Sequence, residues 1–176
     1  PGQRIQRRKR LIHQKDLGLD GERRLHAQAL APGAGPSPQA FLVEQDPNWV
    51  MPSHFHLEQQ FQVVVAGEGS IGRHVAKPFM VHYAAAETGY GPITAGPEGI
   101  AYLTLRAMAD TGAWYLHKPG SRERMRPGLK REQAHASPAT EGRAPLEVLI
   151  PPRSDGLAAH LVHLSGGAPM QLPAAD

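Results

Sequence analysis

The chain contains no cysteine, which excludes disulfides, thiolate-bound zinc and cysteine nucleophiles and points to a reducing compartment. Long apolar runs are also missing. No stretch approaches the roughly 20 residues needed to span a bilayer, and no charged head is followed by an apolar signal core. A soluble, cytoplasmic protein without a membrane partner is therefore expected. Aromatic residues make up only 6% of the chain and sustained helical periodicity is scarce, whereas 19 glycines and 17 prolines supply turns. That balance favours short strands joined by loops. The excess of positive charge is small, +3 over 176 residues, which is modest for a nucleic-acid binder. The basic residues of segment 1–15 (Arg4, Arg7, Arg8, Lys9, Arg10 and Lys15) have no aromatic neighbours on which bases could stack. This segment reads as a solvated arm or edge strand, with nucleic-acid binding through the arm a distant alternative.

Strand signals run through the rest. Residues 24–30 alternate and end at Ala31-Pro32-Gly33, and 39–45 form a second run before the turn Asp46-Pro47-Asn48. Residues 61–66 are rich in β-formers, and Gly67-Glu68-Gly69 reads as a tight turn after them. Further strands are expected at 71–75, 79–84 and 100–107, and again at 146–150 and 157–164. On the strand at 100–107, Tyr102, Thr104 and Arg106 share a polar face that fits either a pocket lining or a solvated outer surface. Residues 117–145 are rich in Arg, Lys, Gly and Pro without periodicity and read as a loop or linker.

One spacing looks like chemistry. Side chains two apart on a strand share a face, so His54 and His56 present two imidazoles together, half of a metal site. Gln60, opening the next strand, places an oxygen beside them. At this point the chain resembles the cupins, whose first motif is His-x-His, three or four residues, Glu, six residues, Gly. Here it reads His54-Phe55-His56, three residues, Gln60, residues 61–66, Gly67, with glutamine in place of the carboxylate. The second motif, Gly, five residues, Pro-x-Gly, two residues, His, falls on Phe79, Ala85, Glu87 and Tyr90 in the preferred register. In a second register it falls on Gly91, Pro97-Glu98-Gly99 and Tyr102. Either way the last histidine is a tyrosine.

The resemblance implies an all-β fold, an antiparallel double-stranded β-helix (the cupin jelly roll) with N- and C-terminal extensions. The corresponding organisation is a basic arm at 1–23, a β-barrel at 24–116, a loop or linker at 117–145, and C-terminal strands at 146–176 added to the barrel or to a partner subunit. A homodimer is expected, since unpaired strand edges need cover. The implied function is that of an enzyme of the dioxygenase, lyase or isomerase class, acting on a small oxygenated organic molecule. It would use one divalent metal (Fe, Zn, Mn or Ni) held by His54, His56, Gln60 and Tyr90. Because Gln60 brings no negative charge, that metal is expected to be weakly bound or absent. Gln62, His82, Tyr90 and Tyr102 are the expected ligand-binding residues. The alternative is a metal-free cupin that binds a small metabolite as a sensor or acid–base isomerase, its histidines and tyrosine serving as hydrogen-bonding groups.

Overall fold

The structure, a computed structural model, describes residues 25–31 (backbone only), 37–139 and 144–164. The arm at 1–23 lies outside these residues. Twelve strands follow in chain order: β1 (Leu25–Ala31), β2 (Gln39–Gln45), β3 (Val50–Met51), β4 (His54–Phe55), β5 (Gln60–Ile71) and β6 (His74–Ala76). The others are β7 (Val81–Ala84), β8 (Ile93–Arg106), β9 (Trp114–Tyr115), β10 (Gln133–Ala136), β11 (Leu146–Ile150) and β12 (Ala159–Val162). The main sheet runs β1-β2-β8-β5-β7-β10, with β3 added to β8 and β6 to β5, while β4-β9 and β11-β12 form two small sheets. All pairings are antiparallel. No helix among the described residues is long and apolar enough to cross a membrane.

Strand register positions the site. Because side chains alternate, the residues paired across β2, β8, β5, β7 and β10 form rows on one face. One row is Phe41, Thr104, Gln62, His82 and His135. The next toward the chain entry of β5 is polar, with Gln39 beside Arg106 and Gln60 and Gln133 both paired to Ala84. In the opposite direction lies an apolar row of Val43, Tyr102 and Val64. The interior is thus polar at one end and apolar at the other, where Ile71, Met80, Ile93 and Ile100 complete the main core.

A polar interior leaves apolar residues facing outward, and these need their own cover. The hairpin β11-β12 supplies it. Ile150 packs with Val81 and Tyr83 on the outer side of the sheet, and Phe61, Val63, Leu149, Leu157 and Ala159 join that cluster. The C-terminal strands therefore pair with each other and lie on the barrel's flank.

Three sequence expectations change. Gly67-Glu68-Gly69 is not a turn, since β5 passes through it to Ile71, with register shifts at 64/66 and 67/69. Both glycines are set by close approach: a Cβ on Gly67 would lie 2.2 Å from the Gly99 carbonyl oxygen, and one on Gly69 2.1 Å from that of Thr94. The chain turns instead at Gly72. Likewise β8 starts at Ile93, not at residue 100. Finally, the segment expected as a loop or linker at 117–145 contributes β10 to the sheet edge. It is also pinned by a buried carboxylate: Glu87, 1% exposed, accepts from the backbone N–H and Nε–H of Arg126, and its carbonyl accepts from Arg131 Nε.

Candidate functional site

Strand β4 carries the first histidine to the polar end of the barrel. His54 pairs with Tyr115 on β9, and its backbone exchanges two hydrogen bonds with Tyr90, N to O 3.0 Å and O to N 2.9 Å. That bridge places both side chains on one face. His54 Nδ1 lies 2.8 Å from the Pro52 carbonyl oxygen, which can only accept, so Nδ1 carries the proton and Nε2 is bare. The Tyr90 hydroxyl, 2.9 Å away, donates to Nε2 and accepts from Gln60 Nε2 at 2.5 Å.

From Gln60 the network continues through a charge. Gln60 Oε1 accepts from Arg106 Nε at 3.0 Å and Nη2 at 2.8 Å. Arg106 Nη2 also lies 3.0 Å from Nδ1 and 3.2 Å from Nε2 of His56. His56 Nδ1 donates to Asp110 Oδ2 at 2.6 Å, and the guanidinium nitrogen, nearly equidistant from the two ring nitrogens, lies over the imidazole face and off the in-plane Nε2 lone pair. Asp110 is completed by the backbone N–H groups of Leu57 and Gly112, each at 3.0 Å. Arg106 Nη1 donates to Gln39 Oε1 at 3.3 Å, and its guanidinium carbon lies 5.2 Å from the centre of the Phe41 ring. A carboxylate, an imidazole and a guanidinium are thus joined in series and buried.

Burial fixes the protonation states. It lowers His54 to a pKa of about 3, helped by the neighbouring His56. His56 is lowered by burial and by the Arg106 charge, against the raising influence of Asp110. Tyr90 is raised well above the usual phenol value by burial, Arg106 opposing. Burial also works to raise Asp110, but the His56 hydrogen bond and the charges of His56 and Arg106 hold it below the usual carboxylate value. At neutral pH the chamber therefore holds neutral histidines, a neutral tyrosine and one buried ion pair of Arg106 with Asp110, bridged by His56 and 3.8 Å apart at closest.

The structure brings His54, His56, Gln60 and Tyr90 together, and Gln62 and Tyr102 line the same cavity with Thr104, Arg106 and Tyr115. Tyr102 donates to Gln45 Oε1 at 3.0 Å. His82 sits one layer behind. Its Nδ1 is 2.8 Å from Gln62 Oε1 and its ring centre 4.9 Å from that of Tyr90. Both tyrosines of the two second-motif registers face the cavity, but Tyr90 is the one bonded to the histidine pair. The preferred register also explains two backbone oddities. Phe79 (φ 69°) and Glu87 (φ 57°), at the motif's glycine places, keep a left-handed conformation that costs a non-glycine residue about 1–3 kcal/mol. Sequence reasoning saw the polar face of Tyr102, Thr104 and Arg106 without deciding that it turns inward; it missed Asp110, and it gave Glu87 a motif place without its role as a buried carboxylate.

A divalent ion does not fit the donors as arranged. His54 Nε2 is occupied by the Tyr90 hydroxyl and Gln60 Oε1 by Arg106, whose charge also lies against the His56 ring. The one nearby carboxylate, Asp110, faces the far side of His56. A second cation would also sit against a buried guanidinium. Among the described residues no group of three or more histidine, cysteine, aspartate or glutamate side chains is placed to hold a metal. The free cavity of about 30 Å³ corresponds to roughly one water molecule.

No family model and no curated protein matches the chain. Solved structures do. KdgF from Halomonas sp. is similar at 20% identity and TM-score 0.44, over 52% of this chain and 86% of that one. The polyketide cyclase RemF from Streptomyces resistomycificus is similar at 17% identity and TM-score 0.48, over 56% and 75%. An RmlC-like cupin protein from Ralstonia eutropha is similar at 18% identity and TM-score 0.41, over 48% and 57%. These likenesses are partial, and the class rests on the chain's own geometry. That geometry is an all-antiparallel β fold in which the His54-x-His56 strand meets Gln60 and Tyr90 at one polar end, the arrangement that the resemblance to the cupins implies.

Proposed function

We propose that this chain is a small-molecule-binding cupin that works without a divalent metal, using a fixed guanidinium in the metal's place. The observation that carries the reading is Arg106, whose N–H groups take up Gln60 Oε1 and whose charge lies within 3.2 Å of both ring nitrogens of His56. The Asp110–His56 pair is the arrangement that metal-bound histidines commonly have, with Nδ1–H on a carboxylate and a cation close to the ring. Here the cation is Arg106. A small oxygenated ligand at the mouth would take the Tyr90 O–H over from His54 Nε2 and accept from Arg106 beside it, the interior itself having room for little more than a water molecule.

Binding or sensing is favoured over acid–base isomerisation. A general acid or base works best with a pKa near the working pH, whereas His54 is lowered to about 3 and Tyr90 raised. Both are strong hydrogen-bonding groups and poor proton carriers at neutral pH.

The test is cobalt(II) titration of untagged protein after chelator dialysis, for the wild type and for Arg106→Ala and Arg106→Met, with circular dichroism as the control for folding. The wild type is expected to bind cobalt at least about tenfold more weakly than the variants, a difference of about 1.4 kcal/mol. Gln60→Glu alone should add no cobalt binding, because the new carboxylate meets Arg106 first. Stoichiometric metal retained by the wild type through dialysis would overturn the proposal and restore the metal-dependent dioxygenase, lyase or isomerase reading.

A further inference from the structure

A second group of histidines lies behind Tyr90. The sheet row that contains Gln62 and His82 ends at His135 on the edge strand β10. There the His135 ring is stacked between two others, His74 at 3.7 Å and 11° and His82 at 4.5 Å and 25°. Rings so nearly parallel hold their in-plane lone pairs in separate planes, so His74 and His135 cannot both direct a lone pair at one metal ion.

Beside the stack opens a groove of about 530 Å³, lined by Arg73, His74, Tyr90, Gly91, Gln133 and His135 among others. This lies within the roughly 300–1,000 Å³ range of small-ligand sites, in contrast to the nearly filled barrel interior. Two groups in it lack partners. His135 Nε2 is the buried side-chain polar atom without a hydrogen bond among the described residues. Arg73, exposed in the turn between β5 and β6, makes no ion pair or side-chain hydrogen bond among them. The carboxylates nearest in sequence to the lining residues Gly89 and Gln133 are engaged elsewhere: Glu87 with Arg126 and Arg131, and Glu132 with Lys130 and Arg153. No acidic side chain lines the groove.

We propose that this groove is an oxyanion site, taking the phosphate or carboxylate group of a small ligand. The planar guanidinium of Arg73 presents paired N–H donors to two oxygens of such a group. A half-buried His74 ring that slides off its neighbour exposes His135 Nε2, and in the tautomer protonated there that nitrogen donates to the anion. The body of the ligand then lies along Gln133 and Gly91 toward Tyr90, which lines both the groove and the interior chamber. This inference does not rest on the metal-free reading, since neither Arg73 nor His135 touches the Arg106 network.

The experiment titrates the full chain with inorganic phosphate and, separately, with acetate, following backbone amide and histidine ring resonances. Saturable shifts at residues 72–75 and 133–136 are expected. Arg73→Ala should weaken binding at least about tenfold, the scale of one lost charge-assisted contact. His135→Phe keeps a ring in the stack but removes the nitrogen, and should weaken binding while leaving the spectrum of the remaining fold unchanged. Preference for phosphate assigns a phosphorylated ligand and preference for acetate a carboxylate. Absence of saturable shifts with both anions overturns the proposal, as does binding that both variants leave intact.

Discussion

A guanidinium holds its charge inside a protein only where its N–H groups find acceptors and a counter-charge is close. Gln60, His56, Gln39 and Asp110 meet those needs for Arg106. Tyr90 ties that arrangement to the other half of the chamber, since its hydroxyl donates to His54 and accepts from Gln60. Tyr90→Phe should leave both partners buried and unpaired. A loss of about 1–3 kcal/mol in urea denaturation is expected with the strand signature intact, and an unchanged midpoint would show that the hydroxyl contributes nothing. The sequence made Tyr90 legible through motif spacing even though the motif's glycines had become Phe79 and Glu87, because the backbone kept their left-handed geometry. Asp110 was illegible. Nothing in its own neighbourhood marks it, and its partners Leu57 and His56 lie 53 and 54 residues away.

Among the elements, β5 and β8 set the dimensions of the barrel, and their contact depends on glycine where sequence reading saw a turn. Flexible residues inside a β-rich run signal either a turn or a close approach; only the partner strand distinguishes them. Gly69→Ala is the clear test, because the new Cβ would meet the Thr94 carbonyl oxygen, a backbone atom that cannot swing aside. Overpacking of this kind is expected to cost about 1–3 kcal/mol or more, read as a lower thermal midpoint; a variant as stable as the wild type would mean that the strands can separate freely. Strand β10 escaped notice for a different reason. Its alternation is faint, two alanines against an exposed Gln133 and a half-buried His135, and it gains its place from the ladder that β7 offers at the sheet edge.

At the scale of the molecule, burial of neutral imidazoles couples folding to pH. His54 and His82 are lowered from 6.5 to about 3 and His135 to about 4, all chiefly by burial. An unfolded chain takes up these protons near pH 6.5 while the folded one resists until much lower pH. The unfolded state therefore binds more protons in between, and stability rises with pH across that window. Thermal midpoints should be level above about pH 7, fall steadily below 6.5, and continue to fall toward 4. His135→Phe should flatten the upper part of the decline. A midpoint independent of pH between 7 and 4.5 would contradict this picture.

The hydrogen bonds that hold Arg106 reach Gln60 across 46 residues of chain and Gln39 across 67, while Gln39 in turn caps the Asp110 amide 71 residues away. No local segment can assemble such a cluster. Until β2, β5 and β8 lie side by side, the guanidinium stays in water, where it is already content. Pairings this distant in sequence are slow to find each other. The Arg106 cluster is therefore complete only once the paired strands β2, β5 and β8 have brought its partners together.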